Sequence, residues 1–173
     1  SKSMFSICTV TFLAKSTSVN VIPAKSFLFM MFTVVPSVFI TFVSFNDKST
    51  IMKKIINPWL GVEGYHCFGC DPDHQHGLKM EFYEDDDDIV SVWTPGSNYQ
   101  GWLDTLHGGI QATLMDEIGG WIIARKFQTS GMTTNLSIKY KKPIPTGENV
   151  KIEIRGRVKE VKRMFVFIEA EII

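Results

Sequence analysis

Two clusters in this sequence have residue types and spacing that could do chemistry. In the first, His107, Gly108 and Gly109 run straight into a periodic apolar stretch, and Asp116 follows nine residues after the histidine. A carboxylate can activate water or attack an acyl carbon itself, and the oxyanion that then develops needs fixed donors. Glycines at the mouth of a helix supply such donors, because the first amides of a helix lack intrahelical partners and lie at the positive end of its dipole. Glycine also lets a substrate approach the backbone closely. His107 has a side chain whose ordinary pKa suits a general base. In the second cluster, Cys67, Cys70, His74 and His76 follow a Cys-x2-Cys-x3-His-x-His spacing, with His66 alongside. Four tetrahedral zinc ligands could come from such a run. The histidines follow too soon for an ordinary finger loop, so a packed loop near the mouth of a site is the expectation, and no metal is assigned.

The elements that must position these groups can be read from periodicity. Ile110, Leu114, Ile118 and Ile122 lie four apart, widened by Met115 and Trp121, and predict one buried helix over 110–125. On its wheel Asp116 falls near Ala112, Gly119, Gly120 and Ile123, opposite the Ile110–Leu114 stripe. Glu117 points about 100° away, near Thr113 and Trp121, and reads as structural. Gly119 and Gly120 weaken a helix by propensity, so their place in it predicts close contact with a neighbouring backbone. Leu78, Met80 and Phe82 alternate with polar neighbours and, with 89–94, predict a hairpin. The acids Asp85–Asp88 between them read as a solvated turn with nothing basic beside it. Pro95–Leu106 is a loop. Strands are expected over 134–142, from Val150 to Ile154 with a bend at Gly156, and over 164–172, together forming a three-stranded antiparallel meander. Two strands, a long helix and three strands make an α+β domain whose curved sheet must curl around the helix.

Composition bounds the function. The chain has 173 residues, 45% hydrophobic and 21% charged, with net charge zero, enough for one core. Residues 1–46 hold three lysines and no acid, leaving 15 basic against 18 acidic residues after them. Such a segment lacks the basic excess of a nucleic-acid binder. Three cysteines are not a secreted disulfide framework, which makes the cytoplasm the default location. Residues 26–46 are uncharged and carry six phenylalanines, a membrane-span or signal pattern broken by Pro36 and by polar Thr33, Ser37, Thr41 and Ser44. Residues 1–51 therefore read as an apolar segment outside the domain, either an upstream stretch without a fold or a membrane anchor, and residues 52–173 as the domain.

Residues 107–116, His-Gly-Gly-Ile-Gln-Ala-Thr-Leu-Met-Asp, resemble the signature of hot-dog-fold thioesterases of the phenylacetate-pathway type. The stretch Cys67–Leu78 is similar to the Cys-rich lead-in of that group, with His74 where asparagine is frequent. The resemblance spans 57–173. It implies a curved antiparallel sheet around one long central helix, hydrolysis of acyl-coenzyme A thioesters, and a homodimer or dimer of dimers with sites between subunits. It also implies a further last strand, which the sequence after 164–172 lacks. Carried over by position, Asp116 is the base or nucleophile, the Gly108 amide the main oxyanion donor beside Gly109, and His107 the residue that holds the glycine loop. Asn98 is a second polar contact for the carbonyl or the water. Tyr99, Trp102 and Trp121 are candidate pocket walls. Lys139, Lys141 and Lys142, with Arg125 and Lys126, are candidates for the phosphates of coenzyme A, which enters as substrate; no cofactor is implied. Two alternatives remain on the same fold: a non-catalytic or regulatory acyl-coenzyme A-binding domain, and a dehydratase, which the Gly-Gly-x6-Asp arrangement argues against.

Overall fold

The computed structural model describes residues 4–14 and 52–173. Its strands are β1 (Ser6–Ala14), β2 (Lys53–Lys54), β3 (Tyr83–Asp85), β4 (Asp88–Trp93), β5 (Gln100–Trp102) and β6 (Thr105–Leu106), followed after the helix by β7 (Gly131–Tyr140), β8 (Ile152–Lys162) and β9 (Phe165–Ile172). The helix α1 spans Gly108–Phe127. Seven strands form one antiparallel sheet in the order β2-β3-β4-β8-β9-β1-β7, and β5 with β6 makes a separate small ribbon. The sheet packs on α1, whose Leu114, Ile118 and Ile122 are fully buried against Ile89, Ile154, Ile168 and Ile172. This is the hot-dog architecture expected from the sequence, one helix held in a curved antiparallel sheet.

The N-terminal segment departs from expectation. Read from sequence as outside the domain, it contributes β1, which pairs with β9 on one side and β7 on the other. Cys8, Val10, Phe12 and Ala14 all point into the core, and Ser6 Oγ donates to Gln111 Oε1 of the helix at 2.8 Å. A strand following β9 through a hairpin would run antiparallel beside it, away from β8. β1 fills that place, so no open edge is left where the last strand was expected. Residues 26–46 lie outside the described residues, among which no helix is long and apolar enough to cross a membrane.

The expected meander is also rearranged. β8 and β9 do pair, but β8 takes β4 as its other neighbour and β7 lies at the far edge beyond β1. Local alternation predicts strands and says nothing about their partners. Leu78, Met80 and Phe82 are buried in alternation, yet Leu78 and Met80 donate to the Phe68 and Gly69 carbonyls of the Cys loop instead of a hairpin partner. Asp86 and Asp87 of the acid run are exposed as expected, but its outer members are not left to solvent. Arg155 of β8 reaches Asp85 at 2.6 Å and Asp88 at 2.8 Å.

The helix glycines divide. A Cβ on Gly119 would lie 2.6 Å from the Phe12 ring, whereas one on Gly120 would meet nothing within 4 Å. The close contact expected from sequence is therefore real at Gly119, and its partner is a side chain of β1 rather than a backbone. Gly156 holds regular register with Ile89 and Ala170 instead of marking a bend, and a Cβ there would lie 2.9 Å from Ile122 Cδ1.

Gly119→Ala is expected to destabilise the protein by about 1–3 kcal/mol through overpacking against Phe12. Part of that loss should return in a Phe12→Leu background, as a coupling energy in urea unfolding of the four-member cycle; simple additivity would show that β1 does not dock there. Arg125 binds Glu84 through two bonds, 2.8 and 3.2 Å. The bond to Arg125 holds the Glu84 carboxyl below its ordinary value of 4.5. A depressed folded pKa gives stability that is present above the unfolded value and is lost as pH falls through the folded one. The stability advantage of the wild type over Glu84→Gln should accordingly shrink as pH drops below 4.5, measured by urea unfolding at stepped pH.

Candidate active site

His107 caps α1 in extended conformation, and its Nδ1 accepts from the Gly109 N–H at 2.8 Å. Nδ1 thereby holds the glycine pair that it precedes. Its backbone N–H donates to the Tyr99 carbonyl, and its carbonyl accepts from Ile110 and Gln111. The Gly108 N–H, the first in the helix, has no partner among the described residues, as helix geometry leads one to expect. Its carbonyl accepts from Tyr140 Oη at 3.0 Å. Sequence reasoning missed Tyr140, which closes β7 over the helix mouth. Gly108, Gln111, Tyr140, Lys141, Lys142 and Pro143 line an open groove of about 370 Å³. The helix mouth at Gly108 thus borders a groove that Lys141 and Lys142 also line.

Asp116 stands two turns further along α1, half-buried, and its Oδ1 accepts from Thr133 Oγ1 of β7 at 2.6 Å. Thr133 was not foreseen either; its polar side chain on an alternating strand carried no distinctive signal. β1 runs beneath this point. The Cys8 thiol is pushed up to about 12 by burial and, less strongly, by the charge of Asp116. A second cleft, of about 270 Å³, is lined by Asp116, Glu117, Cys67, Cys70, Trp121 and Thr133, among others. Trp121 stacks on Phe82 at 4.4 Å and meets Trp59 edge-on at 5.4 Å, so the cleft has a rigid aromatic wall.

Glu117 has a more specific setting than the sequence indicated. Trp121 Nε1 donates to its Oε1 at 3.2 Å, and the Cys67 thiol lies 3.6 and 3.7 Å from its two oxygens. Burial, and then Glu117, push the Cys70 thiol well above its ordinary value. The histidines of the same run stay apart from the thiols. His74 stacks on His66 at 4.1 Å, and its Nδ1 accepts from the His76 N–H.

Several expected site residues lie outside both clefts. Asn98 sits exposed in the 3-10 turn before β5. Trp102 is 75% exposed on the small ribbon. Tyr99 packs on Trp93 and donates from its hydroxyl to the Gly77 carbonyl. Lys139 is exposed on β7, whereas Lys141 and Lys142 reach the groove. Arg125 is engaged with Glu84.

A helix with a capped Gly-Gly mouth and an inner carboxylate, wrapped by an antiparallel sheet, defines a hot-dog domain. Residues 103–173 match the family model of the thioesterase superfamily. No curated protein matches significantly. Among solved structures, the chain is similar to a thioesterase superfamily protein with TM-score 0.51 and 20% identity, covering 62% of each chain. It is also matched to a thioesterase from Haemophilus influenzae, with TM-score 0.43, 16% identity and coverage of 56% of this chain and 79% of that one. A mutant thioesterase from Pseudomonas aeruginosa matches with TM-score 0.40, 12% identity and coverage of 56% and 82%. At 20% identity the first of these likenesses is one of fold.

His107→Ala is expected to free the Gly109 amide and remove the helix cap. Hydrogen exchange at Gly109 should rise, and unfolding free energy should fall by about 1 kcal/mol, the usual worth of a cap. Unchanged exchange at that amide would mean that His107 does not hold the loop.

Proposed function

We propose that this protein hydrolyses acyl-coenzyme A thioesters to the free acid and coenzyme A, as a phenylacetate-pathway-type hot-dog thioesterase working as a homodimer or a dimer of dimers. The observation that carries the reading is the pairing on one helix of an unpartnered Gly108 amide with the Asp116 carboxylate. In this reading Asp116 activates water or attacks the thioester carbon, and the Gly108 amide receives the oxyanion. His107 holds the Gly109 side of the loop. Lys141 and Lys142 meet the phosphates of coenzyme A at the groove.

Helix geometry supports an intersubunit site. Gly108 and Asp116 are eight residues apart, which at the usual rise is about 12 Å along the axis. One carbonyl needs its donor and its attacking group each within about 3 Å of the reacting atoms. A single chain's Gly108 and Asp116 therefore cannot serve the same thioester. Edge strand β7 offers the solution. It carries Thr133, bonded to Asp116, near one end and Tyr140, bonded to Gly108, at the other, and its outer edge has no partner strand among the described residues, with Met132 69% exposed. Antiparallel pairing of two β7 edges would set the Thr133 end of one chain beside the Tyr140 end of the other. The Asp116 of one copy would then approach the Gly108 of the second. Three unpaired thiols suit a reducing compartment such as the cytoplasm.

The test is free-thiol release from a panel of acyl-coenzyme A substrates with the full chain. Asp116→Asn should lower kcat/KM by about 10²- to 10⁴-fold, the range of positioned acid–base groups. Gly108→Ala places a Cβ in ordinary contact with Tyr140, at 3.6 Å, so it should fold yet lose turnover. Mixing Asp116→Asn with Gly108→Ala chains should restore activity in the heterodimer, which would hold one intact site. Turnover untouched by Asp116→Asn overturns the mechanism, and coenzyme A binding without turnover in the wild type favours a binding domain.

A further inference from the structure

The Cys loop and the middle of α1 bring three potential ligands to one point. Cys67 Sγ, Cys70 Sγ and a Glu117 carboxylate oxygen all lie within 4.8 Å of one another. The two residue runs are 50 positions apart in sequence, so only the fold assembles the group. We propose that these three side chains form a tetrahedral site for a divalent thiophilic metal ion, zinc foremost, with the fourth position open to the cleft that also holds Asp116.

Four observations carry this. The first is spacing. Zinc binds thiolate sulfur at about 2.3 Å and carboxylate oxygen at about 2.0–2.2 Å, which in a tetrahedron sets neighbouring sulfur and oxygen about 3.5 Å apart. Cys67 Sγ stands 3.6 Å from Glu117 Oε1, so this pair is already at the spacing that an ion would set, with Cys70 Sγ within 4.8 Å of both. The second is the outer layer of hydrogen bonds, which orients metal ligands and tunes them. Trp121 Nε1 donates to Glu117 Oε1, Tyr65 Oη lies 3.1 Å from Cys70 Sγ, and Asn57 Nδ2 donates to Tyr65 Oη at 2.8 Å. The third is Gly69, between the two cysteines. A Cβ there would overlap the Glu117 carboxylate, so glycine is what lets the loop close around that group. The fourth is charge. The polar neighbours of the cluster, Tyr65, Asn57 and Trp121, are all neutral, and among the described residues no basic side chain is bonded to the Glu117 carboxylate.

Two sulfurs and one oxygen select zinc over magnesium or calcium, which demand oxygen ligands. Cys67, Cys70 and Glu117 also line the cleft, so a fourth ligand has access. Binding would release the protons of both thiols and clasp the loop to α1. The site stands whether or not the protein hydrolyses thioesters, and its readout does not depend on activity.

The experiment is titration of the reduced full chain with cobalt(II), followed by displacement with zinc(II) and metal analysis after dialysis. One equivalent of cobalt should bind per chain, with the near-ultraviolet thiolate-to-cobalt charge-transfer band and the intense visible bands of a tetrahedral site. Cys67→Ser and Cys70→Ser should each abolish most of the charge-transfer signal. Glu117→Gln and Tyr65→Phe, which leave the thiols in place, should weaken affinity by about 10- to 100-fold. His74→Ala should leave both spectrum and affinity unchanged. Cys8, buried in β1, is the remaining thiol, and Cys8→Ser should retain the band. The proposal is overturned by absence of a charge-transfer band in the wild type, by a band that survives loss of Cys67 and Cys70 together, or by equal loss in His74→Ala. Should the cysteine variants fail to fold, wild-type stoichiometry and the Glu117→Gln affinity decide the matter.

Discussion

The contact between Phe12 and Gly119 is the constraint on which the rest of the molecule depends. Among the described residues β7 has one neighbour within the sheet, and it is β1. β7 in turn supplies Thr133 to the Asp116 carboxylate and Tyr140 to the Gly108 carbonyl. Whatever seats β1 therefore seats both ends of the site. β1 is seated by its inward row, with Cys8 and Val10 fully buried and Phe12 set into the gap left by a residue without a Cβ. A glycine inside a helix costs about 1 kcal/mol relative to alanine. Here the cost is offset by an aromatic side chain, whose full burial contributes about 1.5–3 kcal/mol, and by the ladder bonds that its strand can then make.

The helix and most strands were legible in the sequence because their periods are local. The four-residue stripe from Ile110 to Ile122 has one structural solution, and its inner members are fully buried as expected. β1 was not legible, for a reason visible in its composition. Cys8, Val10, Phe12 and Ala14 face inward, but Ile7 and Leu13 on the other face are also apolar, and β1 is paired on both edges. Thr9 and Thr11 do alternate with Cys8, Val10 and Phe12, but the strand carries no charge, and beside the uncharged run 26–46 it merges into one apolar block. The sequence nevertheless carried its imprint at a distance. Gly119 predicted a close neighbour, and that neighbour lay in the segment set aside.

The candidate site divides in the same way. His107, Gly108 and Asp116 could be named because helix position alone gives them their setting: a cap, a first amide, and a carboxylate two turns inside. Their supports, Tyr140 and Thr133, come from β7, and pairing across the fold leaves no signature in a single sequence. The acid run Asp85–Asp88 shows the same limit. Its partner Arg155 sits about seventy positions away, and reading it as a solvated turn was reasonable until β8 was seen to lie beside β4.

Asp116 and Glu117 bring these strands of argument together. Adjacent on a helix, they point about 100° apart, and that angle sends two identical functional groups into different surroundings. Asp116 faces β7 with a single hydroxyl donor and a cleft in front of it. Glu117 faces the Cys loop, gripped by an indole N–H and approached by a thiol. A carboxylate that is to react must keep lone pairs free toward its substrate, whereas one bonded to its own protein does structural work or holds an ion. The helix sets these two surroundings through its pitch alone. The loop between Cys67 and Cys70 therefore closes on one carboxylate and leaves the other to β7.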